Sequence, residues 1–548
     1  MSMITNSSHP SLPSRPSRPA ARPSRPAALP SRPAARQLGV VFVFAACAAL
    51  AAFLPAPRAF AQKRAEPDRP CPDKPALGLP DWARTAIIYE VNIRQFSESG
   101  KLNGVTDDLP RLRKLGVNVI WLMPVHPIGK IHRMGALGSP YSVQDYRAIN
   151  PELGTAEDFR KLVDAAHAQG FRVLMDWVGN HSAWDNALTK THPDFYVRNA
   201  QGNFTPPAGT NWRGSIQFNF KNRAVWDYEA DTMAFWMRDY GVDGFRCDFA
   251  SGLPTAAWDY ITAKLRALRP DLFMLAESDQ PQHQLKAFNA SYTFPMMRAI
   301  NNVAKGAAPL SRIDDTLAST RKTFPKGATM MYYTSNHDTN SMNGSEYERL
   351  GAGAPAFAVL TFMFDGIPLI YTGQEAGIRR RIKFIERDPI QWRDHPMFAF
   401  YQTLCELRKT NPALRTGAPM RRLATTADNS LYVVLREAAD KSGRRVLALL
   451  NLTARDVKGA KVSAPALAGA WTDVFGAGNK SGNENGSENG NENGSGSGSE
   501  NGSGNGNGSG NGNENGNKNG NENKKTIFKA TQTFDLKAWE YRVFVSEK

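Results

Sequence analysis

Cysteine is scarce in this chain: four in 548 residues, at positions 47, 71, 247 and 405. So few, so widely spread, do not make a disulfide framework. Acidic residues are missing from residues 1–61, which hold seven arginines and leave +9 of the formal +16 to the rest. That remainder is scattered, with no Lys/Arg run framing aromatics, which argues against nucleic-acid binding. Apolar residues are missing from 479–525, a tract of Asn, Gly, Ser and Glu. Such a tract cannot build a core and reads as a disordered loop between two strands. It also lacks Asp, which excludes a calcium-binding β-roll of nonapeptides.

At the other extreme, Leu38–Leu54 is a 17-residue apolar run behind a basic, Pro-rich leader that repeats Ser-Arg-Pro-Ala-Ala. With Ala59-Phe-Ala61 following, it reads as a secretory signal cleaved after Ala61. An uncleaved anchor is the alternative, since 17 residues is near the lower limit for spanning. A lipid anchor at Cys47 fits less well, because the apolar run continues past it. Residues 62–81 read as a linker. The leader is either an extension or a mis-assigned start.

The length suggests two or three domains, and 41% apolar residues is globular. Gly241-Val-Asp-Gly-Phe-Arg-Cys-Asp248 reads as a short apolar strand with Arg246 and Asp248 at its far end. Residues two apart on a strand share a face, so guanidinium and carboxylate sit together while Cys247 points away. A carboxylate beside an arginine stays ionised, which suits a nucleophile. A purely structural ion pair is the competing reading. Three further strands end in acids: Phe171–Trp177 with Asp176, then Asn180 and His181; Asp271–Glu277; and Met330–Asp338 with Asn336 and His337. Asp248 and Glu277 lie 29 residues apart, and Glu277 and Asp338 lie 61 apart. One βα unit of a barrel takes roughly 30 residues, so the acids fall on adjacent strands and then two strands on. The C-terminal face of a (β/α)₈ barrel brings such distant residues together.

In order and spacing, these four motifs resemble glycoside hydrolase family 13, the α-amylase family. The fold expected is α/β: a (β/α)₈ TIM barrel over 82–412, a short domain B inserted after strand 3 at 181–221, and a C-terminal antiparallel β-sandwich over 413–548 interrupted by the 479–525 tract. The first strand is expected over Ala86–Phe96, a helix around Leu109–Leu115, and a capping box at Thr155–Asp158 opening a helix to Ala168. The resemblance implies a retaining hydrolase of α-1,4-glucosidic bonds, and the signal pattern makes it secreted or periplasmic. Asp248 is then the nucleophile and Glu277 the acid/base, starting protonated; Asp338 binds ring hydroxyls. Tyr141 stacks on the sugar. His181 and His337 bond hydroxyls, Arg246 keeps Asp248 charged, and Asp176, Asn180 and Asn336 support. The substrate is an α-glucan or maltooligosaccharide, with no nucleic acid and no stable membrane partner after cleavage. An exo-acting α-glucosidase, a transglycosylase and a non-catalytic carbohydrate-binding relative are the alternatives; the last would have lost an acid.

Two departures stand out. The family's calcium uses an asparagine, here Asn180, a domain B aspartate, and a histidine after the nucleophile. Gln217 stands where the aspartate belongs, and Ser251-Gly252 where the histidine belongs. A hard cation needs several oxygens, so no metal and no cofactor is expected unless Asp185 or Asp194 rebuilds the site. Phe249, after the nucleophile, is larger than the small residue or valine usual there.

Overall fold

The computed structural model describes residues 70–476 and 525–546. The expected leader, signal, Cys47 and nearly all of the 479–525 tract lie outside the described residues. Eight parallel strands close a barrel: β1 Ile88–Val91, β2 Val119–Leu122, β3 Arg172–Trp177, β4 Gly244–Cys247, β5 Phe273–Ala276, β6 Ala290–Tyr292, β7 Met330–Tyr332 and β8 Gly366–Tyr371. β8 pairs back on β1 through Leu369 and Ile88. Nearly every strand residue is buried, as a sheet covered on both faces requires. Inside, Ile88, Val119, Trp121, Leu174, Phe273, Leu275, Tyr292 and Met331 pack a closed core. Outside, Val173, Met175, Trp177, Phe245 and Cys247 pack with the helices, so Cys247 points away from Arg246 as expected. Burial pushes its thiol pKa up, which leaves it inert. Gly244 is needed at the start of β4, because a Cβ there would come within 2.0 Å of the Phe273 carbonyl oxygen.

The helices follow their signals. Leu109–Leu115 ends at Gly116, whose φ is +97°. Ala156–Ala168 opens with the full Thr155–Asp158 capping box. Arg223–Tyr240 is capped by the Asn222 side chain and stopped by Gly241. Two expectations need correction. The first strand stops at Val91, and Ile93–Phe96 is a helical turn. β7 also stops early, at Tyr332, so Asp338 stands on the turn beyond it and not at the strand's end.

The segment after β3 contributes a hairpin, His181–Ala183 with Ser215–Gln217. After the barrel comes an antiparallel six-stranded sheet. Its strands are β9 Met420–Leu423, β10 Leu431–Glu437, β11 Arg445–Asn451, β13 Gly469–Asp473, β14 Lys525–Phe528 and β16 Tyr541–Ser546, in the order β9-β10-β11-β16-β13-β14. A pair, β12 Val457–Ser463 and β15 Thr531–Leu536, packs on it through Leu431, Leu447, Trp471, Val462 and Phe534. The Asn/Gly-rich tract thus joins β13 to β14, which pair directly. Arg408 and Arg436 are buried at the base of the barrel. Arg408 donates to the carbonyls of Ala86 and Gly366, and Arg436 to those of Met363 and Ala418.

Candidate active site

The C-terminal ends of the barrel strands gather the acids around one cation. Arg246, on β4, is fully buried. Its Nη1 donates to Asp176 at 2.9 Å and to Asp248 Oδ1 at 3.2 Å. Its Nη2 lies 3.0 Å from Glu277 Oε2, and its Nε donates to the Tyr292 hydroxyl at 3.3 Å. The rings of Trp121, Tyr292 and Tyr141 stand 5.0, 5.5 and 5.7 Å from the guanidinium. One charge therefore ties together acids from three neighbouring strand ends. Asp176 also accepts from Trp121 Nε1 at 3.1 Å and from the Tyr141 hydroxyl at 3.0 Å. It is fully engaged, which suits the supporting place expected for it.

His337 is the second cation. Its Nδ1–H donates to Glu90, at the end of β1, and its Nε2–H faces the Tyr141 hydroxyl at 2.8 Å and Asp338 Oδ2 at 3.3 Å. Burial alone would lower its pKa, but Asp338 and Glu90 outweigh burial and raise it to about 9. Tyr141 stacks on His337 at 5.4 Å and on Phe384 at 6.0 Å, giving three nearly parallel rings. Asn336 Oδ1 accepts from Thr339 N at 2.7 Å and so fixes the turn that carries Asp338. Asp338 has the most open side chain of the acids, 36% exposed against 12% for Asp248 and 9% for Glu277.

Two expected roles change. His181 is buried and donates from Nε2 to the Tyr141 carbonyl at 3.1 Å, with Nδ1 facing Asn180. Burial lowers its pKa to about 4, so it is neutral. In the free protein it holds the Tyr141 backbone; it is not free for a sugar hydroxyl. Nor does Arg246 keep Asp248 low. Burial, then the charge of Glu277, push Asp248 well above the usual carboxylate range, and the guanidinium, shared among three acids, offsets only part. Burial likewise raises Glu277, as expected, against Arg246.

Phe249 follows the nucleophile position in the left-handed region, at φ 41° and ψ 47°. For a bulky side chain this costs on the order of 1–3 kcal/mol. Its backbone N–H donates to Glu277 Oε2 at 2.7 Å.

The resemblance implies a calcium ion beside Asn180. The Asn180 Oδ1 is buried without a partner. Its surroundings, however, are Gly252 and the Phe249 ring: a Cβ on Gly252 would lie 2.5 Å from that oxygen and 2.8 Å from a ring carbon. Gln217 accepts from Ala208 N within the inserted segment. Asp185 takes Lys130 N and Gln144 on Oδ2 while its Oδ1 is buried without a partner, and Asp194 takes Asn222. Among the described residues no cluster of three His, Cys, Asp or Glu is placed for a metal. This donor set does not fit a hard cation. The inserted segment joins the barrel through the Asn180 carbonyl, which accepts from Phe218 N, and through Tyr146, whose one hydroxyl proton lies between the carbonyls of Val178 and His181.

Glu90, Trp121, Tyr292, Phe384 and Trp212 belong to the site and are not among the residues singled out in the sequence. The sequence hides Glu90 because a first strand running on to Phe96 places it in the middle; the strand in fact stops at Val91.

A profile of the alpha amylase catalytic domain matches residues 57–391. The chain belongs to the α-amylase family, glycoside hydrolase family 13. Within it, the chain is 30% identical over 396 residues to "Alpha-amylase MalA" of Haloarcula japonica, covering 69% of this chain and 55% of that one. It therefore spans about half the length of that relative. A solved α-amylase from Lactobacillus plantarum is 30% identical, with a TM-score of 0.64 over 71% of this chain and 93% of its own. The maltogenic α-amylase AmyB of Thermotoga neapolitana shares the fold, with a TM-score of 0.69 over 84% of this chain and 99% of its own at 22% identity. As a member of this family the chain is a glycoside hydrolase.

Proposed function

We propose that this hydrolase cleaves α-1,4-glucosidic bonds of starch-derived oligo- or polysaccharides, with retention at the anomeric carbon. The observation that carries this reading is Arg246, whose two terminal nitrogens touch Asp248 and Glu277 at the ends of adjacent strands. Acids so bridged suit the roughly 5–5.5 Å spacing of a retaining pair.

Asp248 Oδ1 is held by Arg246, which leaves Oδ2 to attack the anomeric carbon. Glu277 Oε2 accepts the Phe249 N–H, so Oε1 carries the proton to the leaving oxygen and later withdraws one from water. Burial and mutual repulsion make both acids hold a proton more tightly than free carboxyls do. The reaction needs it on Glu277. Positive charge developing at the sugar carbon favours an ionised Asp248 and sends the proton to Glu277. Asp338, the most open acid, receives ring hydroxyls, and Tyr141 offers its ring as the sugar platform.

We further propose that the protein is exported, on the strength of the basic flank, the apolar run and Ala59-Phe-Ala61, and that it works without calcium, on the strength of the donors around Asn180. The deciding experiment is product analysis on maltoheptaose over time, with the anomer followed by NMR. Retained configuration with α-1,4 cleavage supports the reading. Inverted product, or no cleavage of α-1,4 links, refutes it.

A further inference from the structure

Phe249 is one of the residues that depart from the family's pattern, and its backbone N–H meets Glu277. β4 ends at Cys247, and Asp248 N still donates to the Trp177 carbonyl. One residue later the chain turns left-handed, and the N–H of Phe249 leaves the sheet's ladder for Glu277 Oε2, 2.7 Å away on the next strand. A non-glycine residue holds such a conformation only when its surroundings impose it. Here the ring is gripped from two sides. Beneath lie Gly252, where a Cβ would come within 2.8 Å of the ring, and the Gly252 N–H, which donates to the Phe249 carbonyl at 2.7 Å. Above lies Trp212 of the inserted segment, edge-on at 5.2 Å and itself tilted against His181 at 5.2 Å.

We propose that Phe249, clamped by Trp212, is a positioning residue for Glu277: its left-handed backbone fixes one carboxyl oxygen so that the other faces the leaving group. The proposal rests on Glu277 being the acid/base. Through Trp212 it makes the inserted segment part of the proton-transfer apparatus as well as a cleft wall. Glu277 is faced by Arg246 from β4, by Asp338 and His337 from beyond β7, by Asp248, and by the hydroxyls of Tyr292 and Tyr333. Against those fixed groups, the Phe249 N–H is the contact that a change at Trp212 would release.

The test is the pH profile of kcat/KM for Trp212→Ala, Trp212→Phe and Phe249→Val, each checked for cooperative unfolding. The N–H bond favours the ionised carboxylate, so its loss raises the proton affinity of Glu277. The basic limb then moves up by roughly half to one pH unit. That shift, with kcat lowered more than KM is raised, is expected for Trp212→Ala and Phe249→Val. Trp212→Phe restores the wild-type limb. If Phe249→Val does not fold, Trp212→Ala decides alone, at a half-buried position of the inserted segment. An unmoved limb in folded Trp212→Ala, whatever its rate, overturns the proposal. Glu277→Gln is measured alongside. Activity retained there would refute the acid/base reading itself, whereas its loss with an unmoved limb would refute only the part given to Phe249.

Discussion

Replacing Glu229 by glutamine tests the physical reading of the barrel's outer layer. Glu229 sits on helix Arg223–Tyr240, wholly buried, behind the strand that carries Asp176. Its Oε2 accepts from Trp177 Nε1 at 2.6 Å, and its Oε1 has no partner. Among the described residues no cation pairs with it. Burial raises its pKa from 4.5 to about 8, with the Trp177 bond a smaller opposing effect. The folded pKa is thus above the unfolded one, and the folded state binds the proton more tightly. The sign follows: its favourable contribution is complete below the unfolded pKa and is lost as pH rises towards about 8. One pKa unit is worth about 1.4 kcal/mol, so wild type loses about 2–3 kcal/mol between pH 6 and pH 8 through this group alone.

Glutamine keeps the shape and an acceptor for Trp177 but does not ionise. In Glu229→Gln that pH dependence disappears. Thermal unfolding of both proteins from pH 4 to pH 9 should give curves that separate progressively above the unfolded pKa of 4.5, with the variant the more stable at pH 8–9 by a few degrees. Only at the acid end of that range should the two nearly coincide. Parallel curves across the range would refute the reading of Glu229 as a neutral buried acid.

Asp248→Asn and Glu277→Gln, purified and folded, should each lose at least about a thousandfold in turnover with no fall in melting temperature, because each removes one half of a two-step exchange and a costly buried charge; near-normal hydrolysis by either would sink the mechanism. Deleting Ser481 to Asn523 should leave rate and melting temperature nearly unchanged, since β13 and β14 already pair and a shorter connection alters only closure entropy; a fall of many degrees would show that the tract packs on the body. Dialysis against EDTA should leave both quantities unchanged. Activity lost there and restored specifically by Ca²⁺ would show that oxygens other than the side chains around Asn180 complete a site.

The barrel was legible because its strands are short apolar runs that each end in a polar cluster, and because the acids recur at multiples of about 30 residues. The sixth strand was not placed in the sequence, for a physical reason. Ala290–Tyr292 is three residues long, too short for any periodicity, and only the 61-residue gap between Glu277 and Asp338 implied it. The acids of the site could be read because strand ends converge whatever the intervening helices do. What His181 bonds could not, since a buried imidazole's partner, here a backbone carbonyl 40 residues away, depends on how a loop returns. Phe249 was visible as an unusual residue, but its left-handed backbone exists only through the packing of Gly252 and Trp212.

Glu90 changes how the whole site is understood. Within it, two cations, Arg246 and His337, face five carboxyl groups: Glu90, Asp176, Asp248, Glu277 and Asp338. Burial pushes the first four upward, and the cations hold them down only in part. Without Glu90, His337 would face fewer charges and lose much of what keeps it protonated; with it, the imidazolium can hold Tyr141 and Asp338 at once. The surplus of negative charge is costly in the free protein and is offset by whatever brings positive charge to the strand ends. On the proposed mechanism, a sugar ring approaching an oxocarbenium ion does so at its anomeric carbon, beside Asp248. The ground-state sugar is neutral and gains little from the surplus. The site's electrostatics therefore favour the transition state over the bound substrate, which is the condition for lowering a barrier as opposed to tightening binding.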